Sequence, residues 1–277
     1  MTVDVNDGGT DSLTAAGWSS GGAAVLEELA PDAAKAFTLL VSVRPSGVHD
    51  EVLESPPVRA FAEQFRVDVS QIGDELRADY IAATRIHQFS VAQMVWIGDA
   101  TLRLRQALDA LFGASEWPAP RRHPVREVWE TIDEFMRAVA RHHALDPTLT
   151  ELIRLRGARQ HNCRLCQSRR SVAAIEAGAD EALFTSVDDH ASSDLPAVTK
   201  AALALVDAVI WHPQDLGDDV IAGVRAQLTP EQAVEVVLDV IRNGTNKIAV
   251  ALGADEAEVT EGVQLFVTDE DGVVSTV

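Results

Sequence analysis

The stretch LTPEQAVEVVLDVIRNGTNKIAVALG, residues 228–253, carries the clearest helix signals in the chain. Thr229 and Gln232 have the spacing of a capping box, and the proline between them suits a first helical turn. Apolar residues then recur at spacings of three and four, which is the period of an amphipathic helix. Gly253 is typical of a helix end. The stretch therefore predicts a helix over residues 229–252.

A second stretch, FSVAQMVWIGDATLRLRQALDALFG at residues 89–113, repeats these signals. Ser90 and Gln93 have the capping-box spacing, and Gly113 suits the helix end, so a helix is predicted over residues 90–112. No convincing series of alternating apolar and polar residues is found, and aromatic residues make up only 5% of the chain. These observations predict an all-α fold.

The matching helices indicate an internal duplication, because several landmarks recur about 140 positions apart in the same order. A flexible N-terminal tail is predicted before the first half, and the proline-rich segment 113–124 suits the junction between the halves. Only the second half contains cysteine, so the first half is predicted to be a degenerate scaffold. The recurring landmarks are Ser90 and Thr229, Gln93 and Gln232, Gly113 and Gly253, IGDEL 72–76 and LGDDV 216–220, and PPV 56–58 and PAV 196–198. The predicted boundaries are 1–22 for the tail, 23–116 for the first half and 117–277 for the second.

Composition places the chain among globular proteins, with 277 residues, 47% apolar residues and 24% charged residues. Its formal net charge of −20 disfavours binding to nucleic acid and to anionic membranes. The longest apolar run is too short to span a bilayer, and the N-terminus lacks the pattern of a signal peptide. We therefore expect a cytoplasmic protein with neither a nucleic acid nor a membrane as its partner.

Both cysteines of the chain lie in RQHNCRLCQSRR, residues 159–170. The surrounding stretch 152–175 contains six arginines and no acidic residue, so a positive field that favours thiolates is predicted. Asn162 is a good N-cap residue, which predicts that Cys163 opens a helix and that Cys166 lies one turn further on the same face. A helix N-terminus also favours the thiolate.

Three interpretations of this cysteine pair remain open. A redox dithiol is favoured by the arginines and by the spacing. Two structural cysteines in a core would be the second interpretation. A zinc site is the third, but zinc needs four ligands, and Cys163, Cys166 and His161 supply three.

The segment ELIRLRGARQHNCRLCQSRR, residues 151–170, resembles the active-site signature of the alkylhydroperoxidase D and carboxymuconolactone decarboxylase superfamily. Residues 228–253 resemble the closing helix of that superfamily, including Asn246. The resemblance extends over about residues 125–255. It implies a helical, oligomeric, thiol-dependent peroxidase that acts as a homodimer or homotrimer, uses an external dithiol reductant, and needs no metal or bound cofactor.

The resemblance also implies roles for individual residues. Cys166 would attack the hydroperoxide, Cys163 would resolve the product into a disulfide, and Glu151 would belong to the proton relay. Twelve residues separate Glu151 from Cys163, about 18 Å along an unbroken helix. Glu151 can therefore reach the thiols only if the chain turns between them, and Gly157 and Asn162 permit such a turn.

Arg170 stands where the superfamily commonly has a histidine of the relay. An arginine cannot act as a general base, but it could hold a thiolate or an anionic substrate. If the helix continues, Arg170 lies one turn after Cys166 on the thiol face. His161 could supply the missing imidazole, or it could be a surface residue beside a helix cap. The alternative functions are a lyase in which Arg170 binds a carboxylate, and a non-catalytic redox-sensing protein.

Overall fold

The computed structural model describes residues 18–120 and 127–277 and shows a predominantly helical protein, which confirms the all-α prediction. Within these two ranges, no helix combines the length and the apolar character needed to cross a membrane. The helices are α1 Gly22–Leu29, α2 Pro31–Leu40, α3 Asp50–Leu53, α4 Pro56–Val67, α5 Asp74–Thr84, α6 Gln88–Phe112, α7 Val128–Ala140, α8 Pro147–Gln160, α9 Arg164–Gln167, α10 Val172–Glu176, α11 Glu181–Thr185, α12 Ala197–Trp211, α13 Asp218–Gln227, α14 Pro230–Asn243 and α15 Lys247–Leu252.

Helix α14 begins as the sequence predicts. The Thr229 side chain accepts from the Gln232 N–H, and the Gln232 side chain accepts from the Thr229 N–H, so the capping box is formed. The prediction of one helix to residue 252 is wrong, because a 3₁₀ turn at Gly244–Asn246 divides α14 from α15. Gly253 ends α15 in the left-handed conformation, as expected for a glycine at this position.

Helix α6 begins two residues earlier than predicted. A 3₁₀ turn at Arg85–His87 leads directly into Gln88, and His87 takes the N-cap position without a side-chain cap. Ser90 therefore lies inside the helix, and the predicted capping box with Gln93 is wrong. The predicted end is confirmed, because Gly113 has a φ of 96° and terminates the helix.

A small sheet was not predicted. Strand β1, Arg169–Ser171, pairs in parallel with β2, Gln264–Thr268, and β2 pairs antiparallel with β3, Val274–Thr276. Strands of three to five residues are too short to display a convincing alternation of apolar and polar residues. Since β1 follows α9 directly, the C-terminal strands are held beside the cysteine pair.

The two predicted halves share one continuous hydrophobic core, to which α6 contributes Trp96 and Leu104 and α14 contributes Val234. The motifs IGDEL and LGDDV both lie at helix starts: Gly73 is the N-cap of α5, and Gly217 is the N-cap of α13. Superposition of the two halves stays a prediction.

The predicted tail is wrong for residues 18–22, and its residues 1–17 lie outside the described part of the chain. Trp18 is buried and stacks on Phe112 with ring centroids 4.9 Å apart. Gly22 opens α1, and a Cβ atom there would lie 2.7 Å from an Asp109 carboxylate oxygen, so only glycine fits this close approach. These residues anchor α1 against the end of α6.

Candidate functional site

The chain reverses between Glu151 and the cysteines, as the sequence predicts. Helix α8 ends at Gln160, and Asn162 adopts the left-handed conformation with a φ of 51°, which asparagine tolerates better than most residues. The Cys163 N–H then bonds the Ala158 carbonyl at 3.0 Å, and α9 folds back along α8. Asn162 is therefore the turn residue, and the prediction that it caps a helix opened by Cys163 is wrong.

Cys163 and Cys166 form a disulfide, with an S–S distance of 2.02 Å and a Cα–Cα distance of 5.3 Å. Cys163 itself is the N-cap of α9, and its Sγ accepts from the Cys166 N–H at 3.2 Å. The exposed fraction is 1% for Cys163 and 7% for Cys166. Cys166 is thus the more accessible of the two residues.

Glu151 is buried on α8 and is held by Arg154, whose Nε and Nη2 donate to the two carboxylate oxygens at 2.6 and 2.7 Å. The same guanidinium donates to the Cys166 carbonyl at 2.8 Å and to the Arg169 carbonyl at 2.8 Å. The Ser171 N–H donates to Glu151 at 3.2 Å. Glu151 is therefore joined to the cysteine turn through one arginine rather than directly.

Arg170 does not lie one helical turn after Cys166, so the helical premise for its position on the thiol face is wrong. Helix α9 ends at Gln167, and Arg170 belongs to β1. Its guanidinium bonds Glu181 at 2.9 and 3.0 Å and the Gln167 carbonyl at 2.8 Å. The buried Arg170 thus ties β1 to α11.

Each of the six arginines around the cysteines has a carboxylate partner. Because these partners are brought in by the fold, mainly from other segments, the positive field that the local sequence predicts is largely compensated. The pairs are Arg154 with Glu151, Arg156 with Asp207, Arg159 with Asp188, Arg164 with Asp255, Arg169 with Glu258 and Arg170 with Glu181, at 2.6 to 3.1 Å.

His161 is buried at the end of α8, so its interpretation as a surface residue is wrong. Burial, and then the charges of Lys247 and Arg103, lower the pKa of His161 well below its ordinary value, which keeps the imidazole neutral at pH 7. Lys247 reaches Asp99 of α6 at 2.6 Å, and burial lowers the Lys247 pKa to about 8. Lys247, Asp99 and Arg103 form a buried polar cluster of α6 and α15, and its two positive charges act on the histidine.

Asp255 is a residue of the site that the sequence did not indicate. Its carboxylate accepts from the Arg164 backbone N–H at 2.9 Å and from the Arg164 Nη2 at 2.8 Å. Its carbonyl accepts from the Leu165 N–H at 2.9 Å. Burial pushes the Asp255 pKa upward, but the hydrogen bonds from Arg164 outweigh it and hold the pKa below its ordinary value. Asp255 therefore stays charged beside the cysteine turn.

A second acidic feature lies on α14, where Glu235 and Asp239 are both buried one turn apart. Burial, and then the charge of Asp239, raise the pKa of Glu235 to about 8, although its carboxylate accepts from the Ala144 and Leu145 N–H groups. Burial also raises the Asp239 pKa to about 6, which the Arg242 charge only partly offsets. Their i, i+4 spacing within an apolar helix was the signal that could have identified them.

The described residues contain no group of three or more histidine, cysteine, aspartate or glutamate side chains that could hold a metal ion. The zinc interpretation required His161 beside both cysteines. In the structure the two sulfurs bond each other instead.

Comparisons with known proteins find relatives but no described function. No protein-family model matches the chain, and no solved structure matches it, so the alkylhydroperoxidase D resemblance stays a prediction. The uncharacterized proteins MT2376 and Rv2313c, from two strains of Mycobacterium tuberculosis, are each 40% identical to this chain over 229 residues. The match covers 79% of this chain and 81% of each relative. At this identity and coverage, the chain belongs to the same family as MT2376 and Rv2313c.

Proposed function

We propose that the protein is a thiol-dependent peroxidase that reduces hydroperoxides through Cys163 and Cys166. The observation that carries the proposal is a closed disulfide whose more accessible member is Cys166. The turn at Asn162 supports it, because it brings Glu151 back toward the pair as the superfamily signature requires. Assembly as a homodimer or homotrimer and a cytoplasmic location remain predictions.

The reaction cycle consumes one hydroperoxide and one external dithiol. The Cys166 sulfur attacks the terminal peroxide oxygen, the O–O bond breaks, and the alkoxide leaves as an alcohol with the proton of the thiol. The Cys163 thiol then attacks the sulfenic acid, which forms the disulfide and releases water. Thiol–disulfide exchange with an external dithiol restores both thiols and oxidises that dithiol.

Within this proposal, Glu151 acts through Arg154. The buried carboxylate orients the arginine, and the arginine in turn donates to the Cys166 carbonyl and to the carbonyl of Arg169, the first residue of β1. This arrangement fixes the backbone that carries the attacking sulfur. Arg170 supports the same turn from the other end, through its bond to the Gln167 carbonyl.

The test measures peroxide consumption with several dithiol donors for the wild type, Cys163→Ser and Cys166→Ser. We expect turnover by the wild type and one equivalent consumed by Cys163→Ser, with a sulfenic acid trapped on Cys166 by a selective probe and located by mass spectrometry. Cys166→Ser should consume none by this route.

The double variant Cys163→Ser/Cys166→Ser is the matched control for background reaction of peroxide with the dithiol. A wild-type rate equal to that of the double variant with every donor would overturn the proposal. Label on Cys163 in Cys166→Ser, with none on Cys166 in Cys163→Ser, would instead reverse the two cysteine roles.

A second function, a redox-responsive protein without catalysis, is favoured by the low exposure of both cysteines, 1% and 7%. A disulfide that opens and closes reversibly with dithiol, together with no peroxide turnover, would support it. The lyase alternative depended on Arg170 as a free carboxylate ligand, whereas Glu181 already occupies that guanidinium.

A further inference from the structure

The Asp255 carboxylate lies one peptide unit from Cys163. It accepts from the N–H that directly follows Cys163, at 2.9 Å, and from the guanidinium of Arg164 at 2.8 Å. Arg164 in turn stands between the two cysteines in the chain. The Asp255 side chain is 6% exposed, whereas that of Arg164 is 55% exposed. A fixed negative charge and a fixed positive charge are therefore held together at the cysteine turn.

These two charges act on the reduced pair in opposite directions. A nearby anion disfavours a thiolate, and a nearby cation favours it. The carboxylate also occupies the Arg164 N–H, and its own backbone carbonyl occupies the Leu165 N–H at 2.9 Å, so neither amide is free to stabilise a thiolate. Stabilisation of the reduced form raises the reduction potential of a dithiol, and its loss lowers that potential.

We propose that Asp255 is a positioning residue that lowers the reduction potential of the Cys163–Cys166 pair. It thereby favours the oxidised form of the pair and opposes the effect of the Arg164 charge, which favours the reduced form. This inference rests on the proposed redox role of the cysteines, but not on peroxidase activity. The half-reaction is the uptake of two electrons and one proton by the disulfide to give one thiol and one thiolate, and a second proton converts the thiolate to a thiol at lower pH. Dithiothreitol supplies the electrons in the test and becomes its cyclic disulfide.

The experiment is a redox titration of the full chain against reduced and oxidised dithiothreitol at pH 8, with the free thiols quantified by alkylation and mass. Asp255→Asn keeps an oxygen that can accept from the Arg164 N–H, but it removes the negative charge. We expect a tenfold shift of the thiol–disulfide equilibrium toward the reduced form, which corresponds to a potential about 30 mV higher.

Arg164→Gln is the matched variant, because it breaks the same ion pair from its other side. We expect an equilibrium shift of similar size in the opposite direction, toward the disulfide. The double variant should lie within about threefold of the wild type. A merely structural role for the ion pair would shift both single variants in the same direction.

The pH dependence provides the second readout. Protonation of the reduced cysteines removes the charge on which Asp255 and Arg164 act, so the difference between Asp255→Asn and the wild type should shrink as the pH falls from 8 to 5.5. Shifts of equal sign in the two single variants, or a shift that is undiminished at pH 5.5, would overturn the inference and leave the proposed function standing. A disulfide that no dithiothreitol ratio opens would overturn both.

Discussion

The arginine-rich segment 152–175 and helix α14 both have electrostatic environments that differ from those that their sequences predict. The first contains six positive charges and no negative charge, yet each arginine is paired with a carboxylate. The second is an amphipathic helix with three acidic residues, and two of them, Glu235 and Asp239, are buried with raised pKa values of about 8 and 6. The charged residues within a segment therefore do not predict the electrostatic environment of their side chains in the folded protein.

The physical reason is that a charge interacts with whatever the fold places within a few ångströms, whatever its distance along the chain. Arg164 meets Asp255 and Arg156 meets Asp207, both far away in sequence. Asp239, in contrast, meets Arg242 only at 3.9 Å, and one of its oxygens has no hydrogen-bond partner among the described residues. The charges of the arginine-rich segment are therefore compensated, whereas the buried carboxyl groups of α14 lack full compensation.

The largest expected effect comes from breaking the most buried pair of the arginine segment. Arg154→Ala leaves the Glu151 carboxylate, 1% exposed, without its bidentate partner, and we expect a loss of about 3–5 kcal/mol of unfolding free energy. Chemical denaturation with the disulfide intact would measure it.

The double variant Arg154→Ala/Glu151→Gln is the control for this prediction. It removes the unpaired buried charge, so it should recover part of the lost stability. A loss below about 1 kcal/mol for Arg154→Ala would show that the pair behaves like a surface ion pair.

The next effect concerns the pH dependence of stability through Glu235. Its pKa is raised from 4.5 to about 8 on folding, so the folded state binds the proton more tightly than the unfolded state. The favourable contribution is complete below the unfolded pKa of about 4.5 and is lost as pH rises through about 8.

Glu235→Gln keeps an oxygen that can accept from the Ala144 and Leu145 N–H groups but cannot ionise. We expect its unfolding free energy to exceed that of the wild type at pH 9 by several kcal/mol, and the two proteins to converge toward pH 5. The exposed Glu231→Gln on the same helix is the matched control and should change little. A constant difference between pH 5 and pH 9 would contradict the raised pKa.

The smallest effect is expected at a partly exposed pair of the arginine segment. Arg169 contacts Glu258 at 2.8 Å, with side chains 23% and 51% exposed. Arg169→Ala should cost no more than about 1 kcal/mol, because exposed ion pairs are solvated and screened. The measurement repeats the denaturation at low and high salt. A loss of stability as large as that of Arg154→Ala would show that the contributions of the arginine pairs to stability do not follow their exposure.

Much of the helical framework was predictable from the sequence because it depends on local interactions. The Thr229–Gln232 capping box, the helix ends at Gly113 and Gly253, and the turn between Glu151 and Cys163 all involve residues close together in the chain. The predicted start of α6 was wrong by two residues, because the 3₁₀ turn at Arg85–His87 competes with the capping box that was predicted at Ser90.

The sequence by itself determined an all-α class, the position of the cysteine pair and the reversal that follows α8, since backbone propensities and short-range hydrogen bonds decide them. Only the tertiary structure decided that Arg170 enters a strand and that His161 is buried beside Lys247. It alone placed Asp255 at the cysteine turn. Strand pairing, burial and ion pairing depend on partners that are mostly distant in the sequence, and no local sequence pattern indicates which partner the fold brings close.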